Sequence, residues 1–493
     1  MSEYIGIDLG TSSVKVMLVD EKGDILGAES EKYPLSFPHP GWSEQNPEDW
    51  WKGTKLCLSR LLKDRDTSSI RGIGVGGQMH GLVVLDEEDH VIRPAILWND
   101  GRTGKEVEYL NETIGKDKLS LYTANIAFAG FTAPKLLWMK NNEEENFARI
   151  RKVMLPKDYI NYCLTGVHAC DYSDASGMLL LDVEKKCWSK EMLQICDLKE
   201  EVMPRLVESF EAIGTVSEER AKELGLPASV IVAGGAGDNA AAAVGTGVVG
   251  EGGCNISLGT SGTVFISSES FRVDPNNALH AFAHADGGYH LMGCMLSAAS
   301  CNKWFYEDIL STNNYQGLWA GIKEEKLGEN PVFFLPYLMG ERSPINDTNA
   351  RGTFTGLSMD TTRLDMAQAV MEGVAFAIRD SFEVAWSLGL KIEKSFICGG
   401  GARSDLWRKI MANVLGITLE LPKSEEGPGM GGAMLAMVAS GAYKSVQECA
   451  EKLCSVKGIE TPDPVLVKKY EERYQVFKKI YPTMKNLFKE MAL

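Results

Sequence analysis

Apolar and polar residues along the chain set out the first elements directly. Tyr4 to Ile7 is an apolar run, Asp8 to Ser13 is turn-forming, and Val14 to Val19 is apolar again. A second turn, Asp20 to Asp24, leads into Ile25 to Ser30. This pattern predicts strand, turn, strand, turn, strand. A long mixed region follows, and then a glycine cluster at Gly245, Gly247, Gly250, Gly252 and Gly253. Beyond it the opening pattern returns: Gly6 to Leu18 (GIDLGTSSVKVML) lies over Asn255 to Ser267 (NISLGTSGTVFIS). A repeated strand–turn–strand on either side of a glycine-rich joint predicts two similar domains, residues 1–246 and 254–493. Chance coincidence of two Gly-Thr-Ser hairpins is the alternative. Helical periodicity, as in Leu364 to Leu388, makes the class α/β. In the tail, Tyr470, Tyr474, Phe477 and Tyr481 recur at helical spacing. They are expected to pack on their own domain, with a homodimer interface as the alternative.

One carboxylate stands out against this pattern. In Val232 to Gly247 (VAGGAGDNAAAAVGTG) Asp238 is the single charge among small and apolar residues. An unpaired buried carboxylate is costly, so it has a partner or a task. The modest reading is a helix N-cap, worth about 1 kcal/mol. The first hairpin offers a complementary site. Gly10 permits a tight turn, the hydroxyls of Thr11, Ser12 and Ser13 can face a phosphate, and Lys15 adds a positive charge. Asp8, at the strand end, can hold Mg²⁺ directly or through water. An ordinary β-turn is the alternative. The repeat is asymmetric: Ser257 stands where the first copy has Asp8, so a metal charge is expected at Asp8 only, with Thr260 as a neutral phosphate contact. Ile397 to Gly416 (ICGGGARSDLWRKIMANVLG) reads as strand, three glycines and helix. That suits either a flat ligand at the helix start or a tight packing turn.

Two look-alikes fail on context. Gly72 to Gly77 (GIGVGG) matches the dinucleotide pattern, yet the sequence after it reads as turn and strand, not helix. His280 and His284 have a helical metal spacing. They lie in an alternating, strand-like stretch that would set them roughly 13 Å apart.

Composition narrows the partners. A formal net charge of −16, from 67 acidic and 51 basic residues, argues against nucleic acid or an anionic membrane as the main partner. The longest near-apolar stretch, Val230 to Gly250, contains Asp238 and several glycines, so no membrane span is expected. The eleven cysteines include no C-x-x-C pair and read as reduced thiols. With no signal peptide visible, a cytoplasmic location is expected.

The ordered blocks "GIDLGTSSVK", "PGWSEQNPEDWW", "GQMHGLVVLD", "RPAILWNDGRT", "KDYINYCLTG", "DYSDASGMLLLD", "GAGDNAAAAVG", "SLGTSGTVF", "PYLMGERSP", "ARGTFTGL" and "GGGARSDLW" together resemble the FGGY family of sugar kinases over nearly the whole chain. The resemblance implies two actin-like (ribonuclease H-type) domains with the active site in the cleft between them. It implies ATP and Mg²⁺, and within the family it is greatest toward members that convert D-xylulose to D-xylulose 5-phosphate. Ribulose, gluconate or glycerol as substrate, or a non-catalytic ATP-binding protein, are the alternatives. By the same resemblance Asp238 takes the proton from the sugar hydroxyl. Met79, His80 and Asn239 lie against the sugar, and Asp8 serves the metal and the transferring phosphoryl group. Thr11, Ser12 and Thr260 contact phosphate, while Gly400, Gly401 and Asp405 lie near the nucleotide. The helix dipole at Asp238 is expected to keep it ionised, and His80 is expected to be neutral. The block Glu425 to Met437, with Gly431-Gly432-Ala433 where relatives have Gly-Ala-Ala, is expected to loosen a helix start.

Overall fold

The computed structural model describes residues 1–424 and 426–491. The expected opening meander is present as β1 (Glu3–Leu9), β2 (Ser13–Asp20) and β3 (Ile25–Lys32). Four further strands complete the first sheet: β4 (Ile70–Gly77), β5 (Ala212–Thr215), β6 (Ile231–Ala233) and β7 (Ala236–Gly237). Its order is β5-β6-β4-β1-β2-β3, with β7 also paired to β4. β1, β4 and β6 run parallel, whereas β2, β3 and β5 are antiparallel to their neighbours.

The second sheet contains β8 (Cys254–Leu258), β9 (Gly262–Ser268), β10 (His280–Ala283), β11 (Tyr289–Met295), β12 (Lys394–Cys398), β13 (Thr418–Pro422) and β14 (Val456–Glu460). Its order is β10-β11-β9-β8-β12-β13-β14. An antiparallel meander again leads into two parallel strands and one antiparallel strand. Apart from the added strands β10 and β7, the two sheets share the same spatial order and strand directions. The antiparallel edge strand precedes its neighbour in the chain in the first sheet (β5 before β6) and follows it in the second (β14 after β13). The sequence repeat is therefore a repeat of fold. Gly72 to Gly77 lies wholly within β4, and His280 lies on a strand, so neither look-alike has the context its motif needs.

Four helices matter most for the site and its support: α1 (Asp238–Thr246), α2 (Arg363–Ser387), α3 (Gly427–Ala439) and α4 (Pro464–Met491). The glycines of α3 correct the expectation of a loosened helix start. A Cβ on Gly6 of β1 would sit 1.9 Å from the Gly429 carbonyl oxygen, and one on Gly431 would sit 1.9 Å from that of Ala241 in α1. The backbones touch, and only glycine allows it. Thus α3, which follows the second sheet's strand β13, packs on the first sheet and on α1. The tail behaves as expected: Phe477 of α4 lies 5.1 Å from Phe376 of α2, and the Tyr470 hydroxyl donates to Glu372 at 3.0 Å.

All eleven cysteines are free, and among the described residues no helix is long and apolar enough to cross a membrane.

Candidate active site

Sheet register places the two candidate carboxylates. In the parallel pair β1–β4, Asp8 stands opposite Gly76, and in β4–β7, Gly76 stands opposite Ala236. Asp8, Gly76 and Ala236 form one row across the sheet, at the ends of its parallel strands. Asp238 follows two residues after Ala236. In such sheets ligands bind beyond the strand ends. The glycines at 76 and 77 keep this edge low: a Cβ on Gly76 would meet that of Ala241 at 2.8 Å.

Asp238 is the first residue of α1, with Gly237 in the N-cap position. The N-cap reading is corrected by one residue. Its Oδ1 accepts from the Asn239 backbone N–H at 2.8 Å and from Asn239 Nδ2 at 3.0 Å. Those bonds favour the charged form, but burial and then the charge of Asp8 outweigh them and raise its pKa to about 7. The expectation that the helix end keeps it ionised is therefore corrected. Desolvation of a buried carboxylate exceeds what a helix terminus of this kind supplies. A carboxyl poised near neutrality suits a general base.

Asp8 is raised to about 6, by burial first, with Lys15 opposing and Glu426 adding to the shift. Lys15 Nζ donates to the carboxylate of Glu426, just before α3. The lysine therefore meets an acid from the other half of the chain. Around the turn, Gly10 N donates to Ser13 O at 3.1 Å and the Tyr33 hydroxyl donates to Gly10 O. Thr11 is fixed by Gln45 Nε2, donating to its carbonyl at 2.7 Å, and by Trp98 Nε1, donating to its hydroxyl at 3.0 Å. Ser12 is exposed.

Met79 and His80 continue the site from the end of β4. A Cβ on Gly237 would lie 2.8 Å from Met79 Cγ, so the thioether covers the residue before Asp238. Asn239 Nδ2 lies 4.0 Å from its sulfur. His80 has φ +68°, a strained conformation for a non-glycine residue. Lys135 Nζ donates to its carbonyl at 2.7 Å, and Thr132 Oγ1 donates to the same oxygen at 3.1 Å. Its Nδ1 lies 2.7 Å from the Gly177 carbonyl. That nitrogen must carry the proton, leaving Nε2 as acceptor. Burial and the Lys135 charge lower its pKa to about 3, so His80 is neutral, as expected.

The second half contributes less compactly. Thr260 is exposed, and its carbonyl accepts from Ala298 N at 3.0 Å. At the glycine turn the two readings divide between residues. A Cβ on Gly401 would meet Trp407 at 2.8 Å, while one on Gly400 would meet nothing. Gly401 is thus a packing glycine, and Gly400 faces open space. The Asp405 side chain is exposed and accepts from Arg408 Nη2.

Sequence reasoning assigned no role to the network that holds the Asp238 loop. Lys157 Nζ, fully buried, lies 2.6 Å from Asp158 and 3.1 Å from Asp171, and donates to Gly234 O at 3.2 Å. Asp171 accepts from Ser209 Oγ at 2.7 Å and from Ser173 Oγ at 2.5 Å. Ser173 Oγ in turn accepts from Gly237 N at 3.3 Å. The blocks "KDYINYCLTG" and "DYSDASGMLLLD" carried the signal, since they place charges in otherwise apolar segments.

The chain belongs to the FGGY family of carbohydrate kinases: its N-terminal domain model matches residues 3–245 and its C-terminal domain model residues 254–440. It is therefore a sugar kinase with two α/β domains of the actin-like type. A xylulose kinase of Escherichia coli is 43% identical over 480 residues, covering 97% of this chain and 98% of that protein. The crystal structure of a xyloylose kinase from Brucella ovis superposes with a TM-score of 0.93 at 43% identity, covering 98% of this chain and all (100%) of that one. A gluconate kinase from Lactobacillus acidophilus has the same TM-score, 0.93, at 25% identity, each chain covered to 99%. The fold alone does not select the sugar.

Proposed function

We propose that the protein transfers the terminal phosphoryl group of ATP to the 5-hydroxyl of D-xylulose, giving D-xylulose 5-phosphate and ADP. The identity to xylulose kinases over nearly the whole chain supports the substrate. The observation that carries the chemistry is the half-buried Asp238, poised at about pH 7 beside Met79, His80 and Asn239.

In this reading, the sugar hydroxyl gives its proton to Asp238 as its oxygen bonds to the γ-phosphorus and the bond from phosphorus to the ADP oxygen breaks. Neutral His80 accepts a sugar hydroxyl proton in a hydrogen bond at Nε2, and Asn239 adds a second contact. Thr11, Ser12 and Thr260 face phosphate, with Lys15 contributing charge moderated by Glu426. Gly400 receives the flat part of the nucleotide, and Asp405 lies at the rim. Among the described residues the Asp8 carboxylate accepts no hydrogen bond. A single partly solvated carboxylate fits Mg²⁺, which takes one or two carboxylates together with substrate phosphates. When bound, Mg²⁺ neutralises phosphate charge in the loose transition state. Residues 1–246 and 254–493 are the two units that close about the Gly245–Gly253 joint, excluding water. A cytoplasmic enzyme fits the free cysteines.

A coupled ADP-release assay over ketoses, aldoses and polyols tests the proposal. D-xylulose is expected to give the highest kcat/KM. Another sugar exceeding it tenfold, about 1.4 kcal/mol in transition-state preference, replaces it as substrate.

A further inference from the structure

The wall of the sugar pocket does not stop at His80. The Phe131 ring lies 4.9 Å from the His80 ring and 5.6 Å from His280. Phe128 lies 5.1 Å from His280, and the Arg342 guanidinium sits 5.2 Å from the Phe128 centroid. His280 and Arg342 belong to the second half of the chain, His280 on its edge strand β10. That strand is fixed against the first half. Asn125 Nδ2 donates to Ala281 O at 2.9 Å, Asn125 Oδ1 accepts from Ala281 N at 3.2 Å, and Ser176 Oγ accepts from Ala283 N at 2.9 Å.

His280 is only 6% exposed, yet its ring makes no hydrogen bond among the described residues. Buried imidazoles are usually paired. Arg342 forms no ion pair among the described residues; the neighbouring Glu341 carboxylate accepts instead from the backbone N–H groups of Leu296 and Arg342, each at 2.8 Å. His280, without a ring hydrogen bond among the described residues, thus stands next to the sugar-contact block. So does Arg342, whose guanidinium meets the Cys294 thiol and has further donors to spare. Both lie on elements held in place by other bonds.

Their position along the pocket is also defined. Met79 covers Gly237 beside Asp238, His80 leans on Gly177 and Phe131, and His280 lies beyond Phe131. His280 thus extends the line of contacts that runs from Asp238 through Met79, His80 and Phe131. A ketose with its 5-hydroxyl at Asp238 directs its C1 hydroxyl and C2 carbonyl along this line. We propose that His280, with Arg342 beside it, forms the far wall of the sugar pocket and recognises the C1–C2 end of the ketose. The second half then contributes to sugar specificity as well as to nucleotide binding. The inference rests on the D-xylulose reading given above. Burial and the Arg342 charge hold His280 neutral, so its ring offers one donor and one acceptor, the complement of a hydroxyl. Arg342 offers donors to a carbonyl.

The test compares D-xylulose with 1-deoxy-D-xylulose, which lacks the C1 hydroxyl. His280→Ala should lower kcat/KM for D-xylulose about tenfold, the size of one lost hydrogen bond to a buried partner, mainly through KM. For the deoxy sugar the loss should be within about threefold, because the contact is already missing. KM for ATP should stay within about twofold. His280→Asn is read the same way if the alanine variant does not fold, and Arg342→Ala should reduce use of both sugars, since both keep the C2 carbonyl. Equal losses on the two sugars for the His280 variants, or a parallel rise in KM for ATP, would return His280 to a packing role between the halves. A wild-type enzyme that phosphorylates neither sugar, but does phosphorylate another, instead removes the D-xylulose reading on which the inference stands.

Discussion

The hairpins β1–β2 and β8–β9 share Leu-Gly-Thr-Ser, the same topology and the same place in their sheets, yet they differ in charge and in the length of the turn. In the first, Leu9 pairs with Val14 across a four-residue turn. In the second, Leu258 pairs with Gly262 across three. The ungapped overlay of the two sequences is thus correct up to the turn and one residue out of step after it, with Gly262 in the place of Val14. A one-residue slip in a strand exchanges its two faces, and burial follows the corrected register: Val16 and Val264 are equivalent core positions. The longer turn is braced by Tyr33, Gln45 and Trp98, and it starts from a carboxylate. The shorter one starts from Ser257 and leaves Thr260 exposed. The two frames are similar, and a carboxylate stands in only one of them.

The largest effect expected on this asymmetry comes from Asp238→Asn. It keeps size and helix-start hydrogen bonding but cannot take a proton. The variant should bind sugar and nucleotide and lose about 10²–10⁴-fold in kcat. Near-normal turnover would return Asp238 to the role of a helix-terminal residue. Asp8→Asn should come next, losing about tenfold or more at low Mg²⁺, with part recovered as Mg²⁺ is raised. Because the Asp8 charge helps raise the Asp238 pKa, this variant should also move the acidic limb of the kcat/KM profile to lower pH. A limb that stays in place would uncouple the two carboxylates.

A smaller effect concerns stability. The folded pKa of Asp238, about 7, lies above its ordinary value of 3.8. The stability this group contributes is therefore present below pH 3.8 and is lost as pH rises through about 7. Asp238→Asn should melt higher than wild type at pH 8, with the difference closing toward pH 4 in a thermal-shift series. A lower melting point for the variant at pH 8 would contradict the burial argument. The smallest effect is expected from Ser257→Ala, at the position equivalent to Asp8. Activity should change less than about twofold, since a hydroxyl carries no charge for a metal. A loss approaching that of Asp8→Asn would mean the second hairpin shares the metal chemistry.

The sequence by itself determined the strands of both hairpins, the repeat and the α/β class, and it singled out Asp8, Asp238 and His80, which the fold brings to one edge of the first sheet. Hydrophobic period, turn residues and isolated charges are local signals, and they survive folding unchanged. Tertiary structure decided what depends on residues far apart in the chain. It placed Glu426 on Lys15, more than four hundred positions away, and Lys157 under the glycine loop that carries Asp238. It set α3 against β1 through glycines that look like helix weakeners when only their own segment is considered. It also reversed the electrostatic expectation at Asp238. The helix terminus is visible in the sequence. Burial and the Asp8 charge that outweigh it exist only once the sheet has brought both carboxylates to the same edge.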